Sequence, residues 1–232
     1  PLGMNADEAR ELMAVAEDHP DIKVMEAFMY RTNPRWKRVQ QIIDDGAIGS
    51  LQSMHSYFTY YNTDPEDIRN IPEYGGGGLM DIGCYCISLS RLILGTSPKR
   101  VVAEMEMDEN FHTDKRTSAI LDFGNTAATF MCATQSPYSQ GATIFGDNGQ
   151  IDIEFPFTPD ADKPVRMWVR SGDQTEEVMG EACDQYTVQG DQFSRAVLED
   201  TEVPVPLIDA VHNMQVIDAI FRSVEERSWQ PV

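Results

Sequence analysis

The sequence predicts an α+β fold: a large, mostly antiparallel open β-sheet covered by helices on one face, with a short helix–strand unit at the N-terminus. Three observations carry this. Between residues 99 and 179 strand-length segments dominate, and residues 99–108 alternate apolar and polar with the period of two expected of strands. Turn residues break these segments at Gly124-Asn125, Asp147-Asn148-Gly149 and Ser171-Gly172-Asp173, the signal of successive hairpins. Helical spacing appears before and after this block, not between its strands, which favours α+β over alternating βαβ units.

In order, Asn5 with Glu8 reads as a helix N-cap and its reciprocal glutamate. Ala9, Leu12, Met13 and Ala16 follow at helical spacing, giving a helix over 5–18. Residues 22–30 are apolar on both parities, as in a buried strand. Asn33-Pro34 opens a second helix with Trp36, Val39 and Ile43 on one face, ended by Gly46 or Gly49. A long strand over 50–61 places Met54, Phe58 and Tyr60 on one side and His55, Tyr57 and Tyr61 on the other. Residues 62–74 read as a loop, and a helix then runs to Leu94, closed by Gly95. Strands are expected over 99–108, 116–123, 126–134, 140–145, 150–155, 164–170 and 174–179, and helices near 186–199 and 207–226.

Composition narrows the function classes. The chain has 232 residues, 41% of them hydrophobic, enough for a real core. A net charge of −20 disfavours nucleic acid and anionic membranes as partners. No apolar run approaches the ~20 residues that span a bilayer. Cys84, Cys86, Cys132 and Cys183 have no zinc-site spacing, and His55, His112 and His212 form no ligand pair, so no metal is expected. We read a reduced, cytoplasmic protein without structural disulfides. No phosphate loop or nucleophile elbow supports a kinase or hydrolase.

The most specific stretch is Gly75-Gly76-Gly77-Gly78 followed by Leu79-Met80-Asp81-Ile82-Gly83-Cys84-Tyr85. Glycines allow positive φ and close approach of a backbone to a ligand. A spacing of four sets Asp81 and Tyr85 on one helix face. This stretch resembles the Gfo/Idh/MocA sugar-dehydrogenase family. Glu26-Ala27-Phe28-Met29-Tyr30-Arg31, Ile42 to Gly49 and Asn213 to Ile220 are similar to further family segments. The resemblance covers nearly the whole chain, but only the later part of a family member. It implies that residues 1–31 are a remnant of a Rossmann domain (its last helix and strand), and that residues 32–232 form a substrate-binding and oligomerisation domain. No G-x-G-x-x-G fingerprint follows a strand here. Pro1-Leu2-Gly3 is similar to the residues just after the family's catalytic lysine; alternatively, Met4 is a start behind a cloning scar.

Tyr85 is the first candidate for catalysis. A phenol ordinarily ionises near pH 10, and a neighbouring lysine would bring it toward neutrality to exchange a proton with a sugar hydroxyl. Without the resemblance, packing on a helix flank is the preferred reading. Asp81 orients substrate or complements the helix dipole in a first turn. Arg31 and Arg69 offer donor forks for substrate hydroxyls or, at Arg31, a cofactor phosphate, against the commoner fate of surface ion pairs. Gly77 and His212 are further substrate-binding candidates, and Tyr30 joins Arg31 as a cofactor-contact candidate. Tyr57, Tyr61 and His55 would stack on a sugar ring or belong to a core or an interface.

The resemblance implies an NAD(P)-dependent oxidoreductase of a sugar or polyol, working with NAD or NADP in the intact enzyme. The chain alone is expected to bind no dinucleotide and to be inactive. Both parities of Ala127 to Ala133 are apolar, and the resemblance implies a homodimer or homotetramer formed through the sheet. Two other readings stand beside this one: a non-catalytic dimeric assembly module, and a dehydrogenase or reductase of a non-sugar diol or ketone.

Overall fold

A computed structural model describes the whole chain, Pro1–Val232. The first helix, α1, spans Ala6–Asp18. Asn5 Oδ1 accepts from the Glu8 N–H at 2.9 Å, satisfying a donor that a helix start leaves free. The Glu8 carboxylate reaches back one residue further than a capping box requires, to the Met4 N–H at 2.8 Å.

The strand expected over 22–30 does not form. Residues 23–28 have no regular secondary structure and pair with no strand, and Met29–Thr32 is a 3₁₀ turn. Apolarity on both parities marks burial, and Phe28, Met29 and Tyr30 are indeed buried. A strand also needs a neighbour for its backbone groups, and no other strand of this chain pairs with the segment.

Helix α2, Arg35–Asp44, starts where Asn33 Oδ1 accepts from the Arg35 N–H, and buries Trp36, Val39 and Ile42. Gly46 and Gly49 turn the chain at positive φ into β1, Leu51–Tyr61. Helix α3 is Cys84–Leu94, ended by Gly95 in the left-handed region. The strands β2 (Arg100–Met107), β3 (Asp114–Asp122), β4 (Ala127–Ala133), β5 (Gln135–Gly146), β6 (Gly149–Glu154), β7 (Arg166–Ser171) and β8 (Gln174–Met179) follow, then helices α4 (Gln185–Leu198) and α5 (Leu207–Glu226), and the two-residue β9 at Gln230–Pro231.

These strands make one nine-stranded sheet in the order β8-β7-β6-β5-β1-β4-β3-β2-β9. All neighbours are antiparallel except β1 and β4. The three hairpins foreseen from turn residues all form. Helices α3 and α5 pack on the sheet, α3 against β1 and β4 and α5 against β2, and α1 rests on α5. A single core cluster runs beneath them and includes Ala6, Ala9, Phe28 and Tyr30 from the first 31 residues. Ile87 and Leu89 of α3 are fully buried, each stabilising by about 1.5–3 kcal/mol. By length and composition Pro72–Leu94 is apolar enough to cross a membrane, but 78% of that window is buried inside the fold.

The opposite sheet face carries His55, Tyr57, Thr129 and Met131. His55 Nδ1 lies 2.9 Å from Thr129 Oγ1 across the parallel pair. The Tyr57 ring lies over Gly141, where a Cβ would collide with it.

Candidate active site

The glycine run has a buried carboxylate as its partner. Asp114, at the start of β3, is 3% exposed. Its Oδ2 accepts from the Leu79 N–H at 2.8 Å and from Thr117 Oγ1 at 2.7 Å. Gly77 has φ +121, donates its N–H to the Arg69 carbonyl at 2.8 Å, and leaves no room for a Cβ, which would fall on Asp114 Oδ1. Gly77 therefore admits Asp114; it does not line the cleft described below.

Burial pushes the Asp114 carboxyl up to about 6, against the pull of its hydrogen bonds. The folded state therefore takes up this proton more readily than the unfolded chain does. The contribution of this group to stability falls as pH rises from about 4 through 6 and improves as pH is lowered. Between pH 7 and pH 5 the wild type should gain stability relative to Asp114→Asn in urea unfolding. An identical pH dependence in the two proteins would show that Asp114 ionises normally.

The Asp114 anchor fixes the π-helical turn Leu79–Gly83, which leads into α3. Such turns often occur at functional sites. Gly83 lets it approach β4, since a Cβ there would sit 2.9 Å from Cys132 Sγ. The turn presents Asp81, and the first turn of α3 presents Tyr85. Both line a cleft of about 370 Å³ together with Arg69, Tyr60, Phe58 and Met29. Tyr60 donates to Asp81 Oδ2 at 2.6 Å, and Arg69 Nε donates to Oδ1 at 3.2 Å. A second carboxylate, Asp67, holds Arg69 from behind at 3.3 Å. Burial, and then the neighbouring Asp81, push the Tyr60 phenol up, so it stays a donor to Asp81.

Tyr85 stands in an aromatic box. Its ring centroid lies 5.0 Å from Phe28, 5.7 Å from Phe157, 5.8 Å from Tyr30 and 5.9 Å from Phe58. Its hydroxyl meets only Met29 Sδ, at 3.6 Å. Burial pushes this phenol up, reinforced by acidic neighbours including Asp81. No lysine lines the cleft. With these neighbours alone Tyr85 keeps its proton at neutral pH.

The other sequence candidates lie elsewhere. Arg31 Nη1 donates to Asp209 Oδ2 at 2.8 Å, and Arg91 Nη2 to Oδ1 at 2.9 Å. His212 lines the cleft above this cluster, its imidazole pushed down by burial and by Arg91. Neither Arg31 nor His212 lines the Tyr85 cleft. Tyr30 is 0% exposed and donates to Ser88 Oγ at 2.8 Å. Tyr30 thus offers no surface to a cofactor, and Arg31 shares the Asp209 carboxylate with Arg91. His55, Tyr57 and Tyr61 are also outside the cleft lining. Sequence reasoning missed Tyr60, Tyr138, Thr158 and Tyr186, which also line the cleft. For Tyr60 a signal existed, because it shares strand parity with Phe58.

Comparison with known proteins agrees with this fold. The sequence profile described as the GFO/IDH/MocA C-terminal domain matches residues 36–152. An uncharacterised oxidoreductase of Rhizobium meliloti is 32% identical over 238 residues, covering 100% of this chain and 71% of that protein. A D-xylose 1-dehydrogenase (NADP(+)) of Haloferax volcanii is 31% identical over 228 residues, covering 97% of this chain and 69% of the relative. KijD10, a 3-ketoreductase from Actinomadura kijaniata solved in complex with NADP and TDP-benzene, superposes with a TM-score of 0.91 at 26% identity, over 96% of this chain and 69% of that one. With the nine-stranded sheet, the glycine-run helix and these matches together, the chain belongs to the GFO/IDH/MocA family of oxidoreductases and carries its C-terminal domain.

Proposed function

We propose that this chain forms the substrate-binding part of an NAD(P)-dependent oxidoreductase that interconverts a hydroxyl and a carbonyl group on a neutral sugar or polyol. The observation that carries this reading is the convergence of the Tyr85 hydroxyl, the Asp81 carboxylate and the Arg69 guanidinium on one cleft. The D-xylose dehydrogenase and 3-ketoreductase relatives support sugar-related chemistry.

When bound, the nicotinamide supplies the redox chemistry. The residues of this chain bind the substrate and handle the proton. Asp81 has both oxygens engaged, by Tyr60 and Arg69, yet each keeps a lone pair to accept from a substrate hydroxyl. The exposed part of Arg69 donates to a second hydroxyl. The aromatic box excludes water around Tyr85, whose proton passes to the substrate oxygen as a carbonyl becomes a hydroxyl and returns in the reverse direction. The reverse direction needs a cation near Tyr85 to favour the phenolate.

Five of the twelve lining residues are aromatic, which favours one other substrate class, trans-dihydrodiols. The test is NADP reduction by the enzyme that carries this chain together with a dinucleotide-binding domain, assayed with aldoses, polyols and trans-dihydrodiols. We expect kcat/KM for the best aldose at least about tenfold above that for the best diol, a difference of ~1.4 kcal/mol in transition-state binding. The reverse order would replace the sugar reading with the diol reading, and turnover of neither class would remove both.

A further inference from the structure

Tyr138 and Thr158, which line the Tyr85 cleft, also line a second cavity of about 610 Å³. Building on the sugar reading above, we infer that this second chamber is a subsite for a second, neutral sugar ring, so that the substrate is a glycoside or disaccharide, not a free monosaccharide.

The ridge between the chambers is fixed by one buried side chain. Gln140 Nε2 donates to the Tyr138 hydroxyl at 2.7 Å and to Thr158 Oγ1 at 2.6 Å. Gln140 Oε1 accepts from the Phe157 and Thr158 N–H groups at 2.8 and 3.0 Å. Every polar atom of the amide is thus used to orient the ridge.

The far wall is held at a cost. Phe155 has φ +45, a left-handed conformation that a bulky residue rarely adopts. Its carbonyl accepts from Arg35 Nη1 at 2.8 Å. Arg35 is 4% exposed, has no carboxylate partner, and leaves Nε and Nη2 without acceptors. A buried unpaired cation and a strained aromatic are both unfavourable. Here they combine to keep Phe155 at 42% exposure on the chamber wall, which Tyr138, at 56%, also lines. Two exposed aromatic residues in a cleft that also holds charged pairs suit the C–H face of a pyranose ring while its hydroxyls point to polar neighbours.

The charges select a neutral ring. Lys163 pairs with Asp160 at 2.7 Å and Arg166 with Glu154 at 3.2 Å, so the charged residues of the lining balance. The two pairs offer donors and acceptors to hydroxyls. A sugar diphosphate would instead meet two carboxylates with no surplus cation, on a chain of net charge −20.

Calorimetric titration of the protein with xylose, glucose, xylobiose, cellobiose and dTDP-glucose tests this. At least one disaccharide should bind about tenfold more tightly than its own monosaccharide. Phe155→Ala and Lys163→Ala should each reduce that gain and leave monosaccharide affinity unchanged. The Lys163 side chain is 75% exposed, so its removal keeps the fold if the Phe155 variant does not. Monosaccharide binding with no disaccharide gain would overturn the subsite and leave the first chamber intact. Salt-sensitive binding of dTDP-glucose above that of every disaccharide would also overturn it, in favour of an anion-reading chamber. Absence of binding by any sugar would remove the reading of the first chamber, and this one with it.

Discussion

Tyr85→Phe should lower kcat by about 10²- to 10⁴-fold, the range carried by one positioned acid–base group. That loss corresponds to roughly 3–5 kcal/mol of transition-state stabilisation. The substitution is unusually clean. The ring keeps its edge contacts with Phe28, Phe58 and Phe157. Only a hydroxyl disappears, and its sole partner is the weak acceptor Met29 Sδ. The unfolding midpoint should therefore hold while turnover collapses. Affinity for NADP should also hold, because the phenol faces the substrate cleft. Steady-state kinetics on the enzyme with its dinucleotide-binding domain, with the urea midpoint of each protein, separates these effects. Turnover within about twofold of wild type would show that Tyr85 only packs, as helix-flank tyrosines usually do.

Much of the fold was legible because its signals are local. Gly124-Asn125, Asp147-Asn148-Gly149 and Ser171-Gly172-Asp173 dictate hairpins whatever surrounds them, and each hairpin is present. Asp81 and Tyr85 were legible for the same reason, since their spacing and the glycine run lie within eleven residues of chain. What was not legible depends on distance in sequence. Residues 22–30 have the composition of a buried strand, but pairing is a property of neighbours, and the segment stays unpaired. Gly77 looked like a ligand contact because close approach was inferred correctly, but the group that approaches is Asp114, 37 residues away, and nothing around Asp114 announces it. Gln140 and Arg35, which shape the second chamber, have equally silent surroundings. Arg31 and His212 were substrate-binding candidates beside Tyr85, yet Asp209 gathers Arg31 with Arg91 into a separate cluster, and His212 lines the cleft there.

That cluster should give the largest stability effect in the molecule. Asp209 lies in the first turn of α5 and holds two guanidinium groups, Arg31 from the Met29–Thr32 turn and Arg91 from α3. Arg91 also donates to the Asp209 carbonyl at 3.1 Å. Side-chain exposures of 15% for Arg31, 6% for Arg91 and 16% for Asp209 place all three largely out of water, where screening is weak. Asp209→Ala removes the one anion and leaves two cations close together, neither able to shed its charge. Breaking such a pair costs about 3–5 kcal/mol, to be read as a fall in the urea midpoint at constant m-value. The same logic makes a second outcome diagnostic. Replacing all three residues together, Arg31→Met, Arg91→Met and Asp209→Leu, should recover most of that loss, because the cost lies in unpaired charge and not in the missing bonds. Arg31 sits two residues from Met29, which touches the Tyr85 hydroxyl, so the single variant should also loosen the cleft and raise KM. A loss below about 1 kcal/mol in Asp209→Ala would mean that the ion pair is not what holds Arg31, and would return that guanidinium to the groups free to meet a ligand.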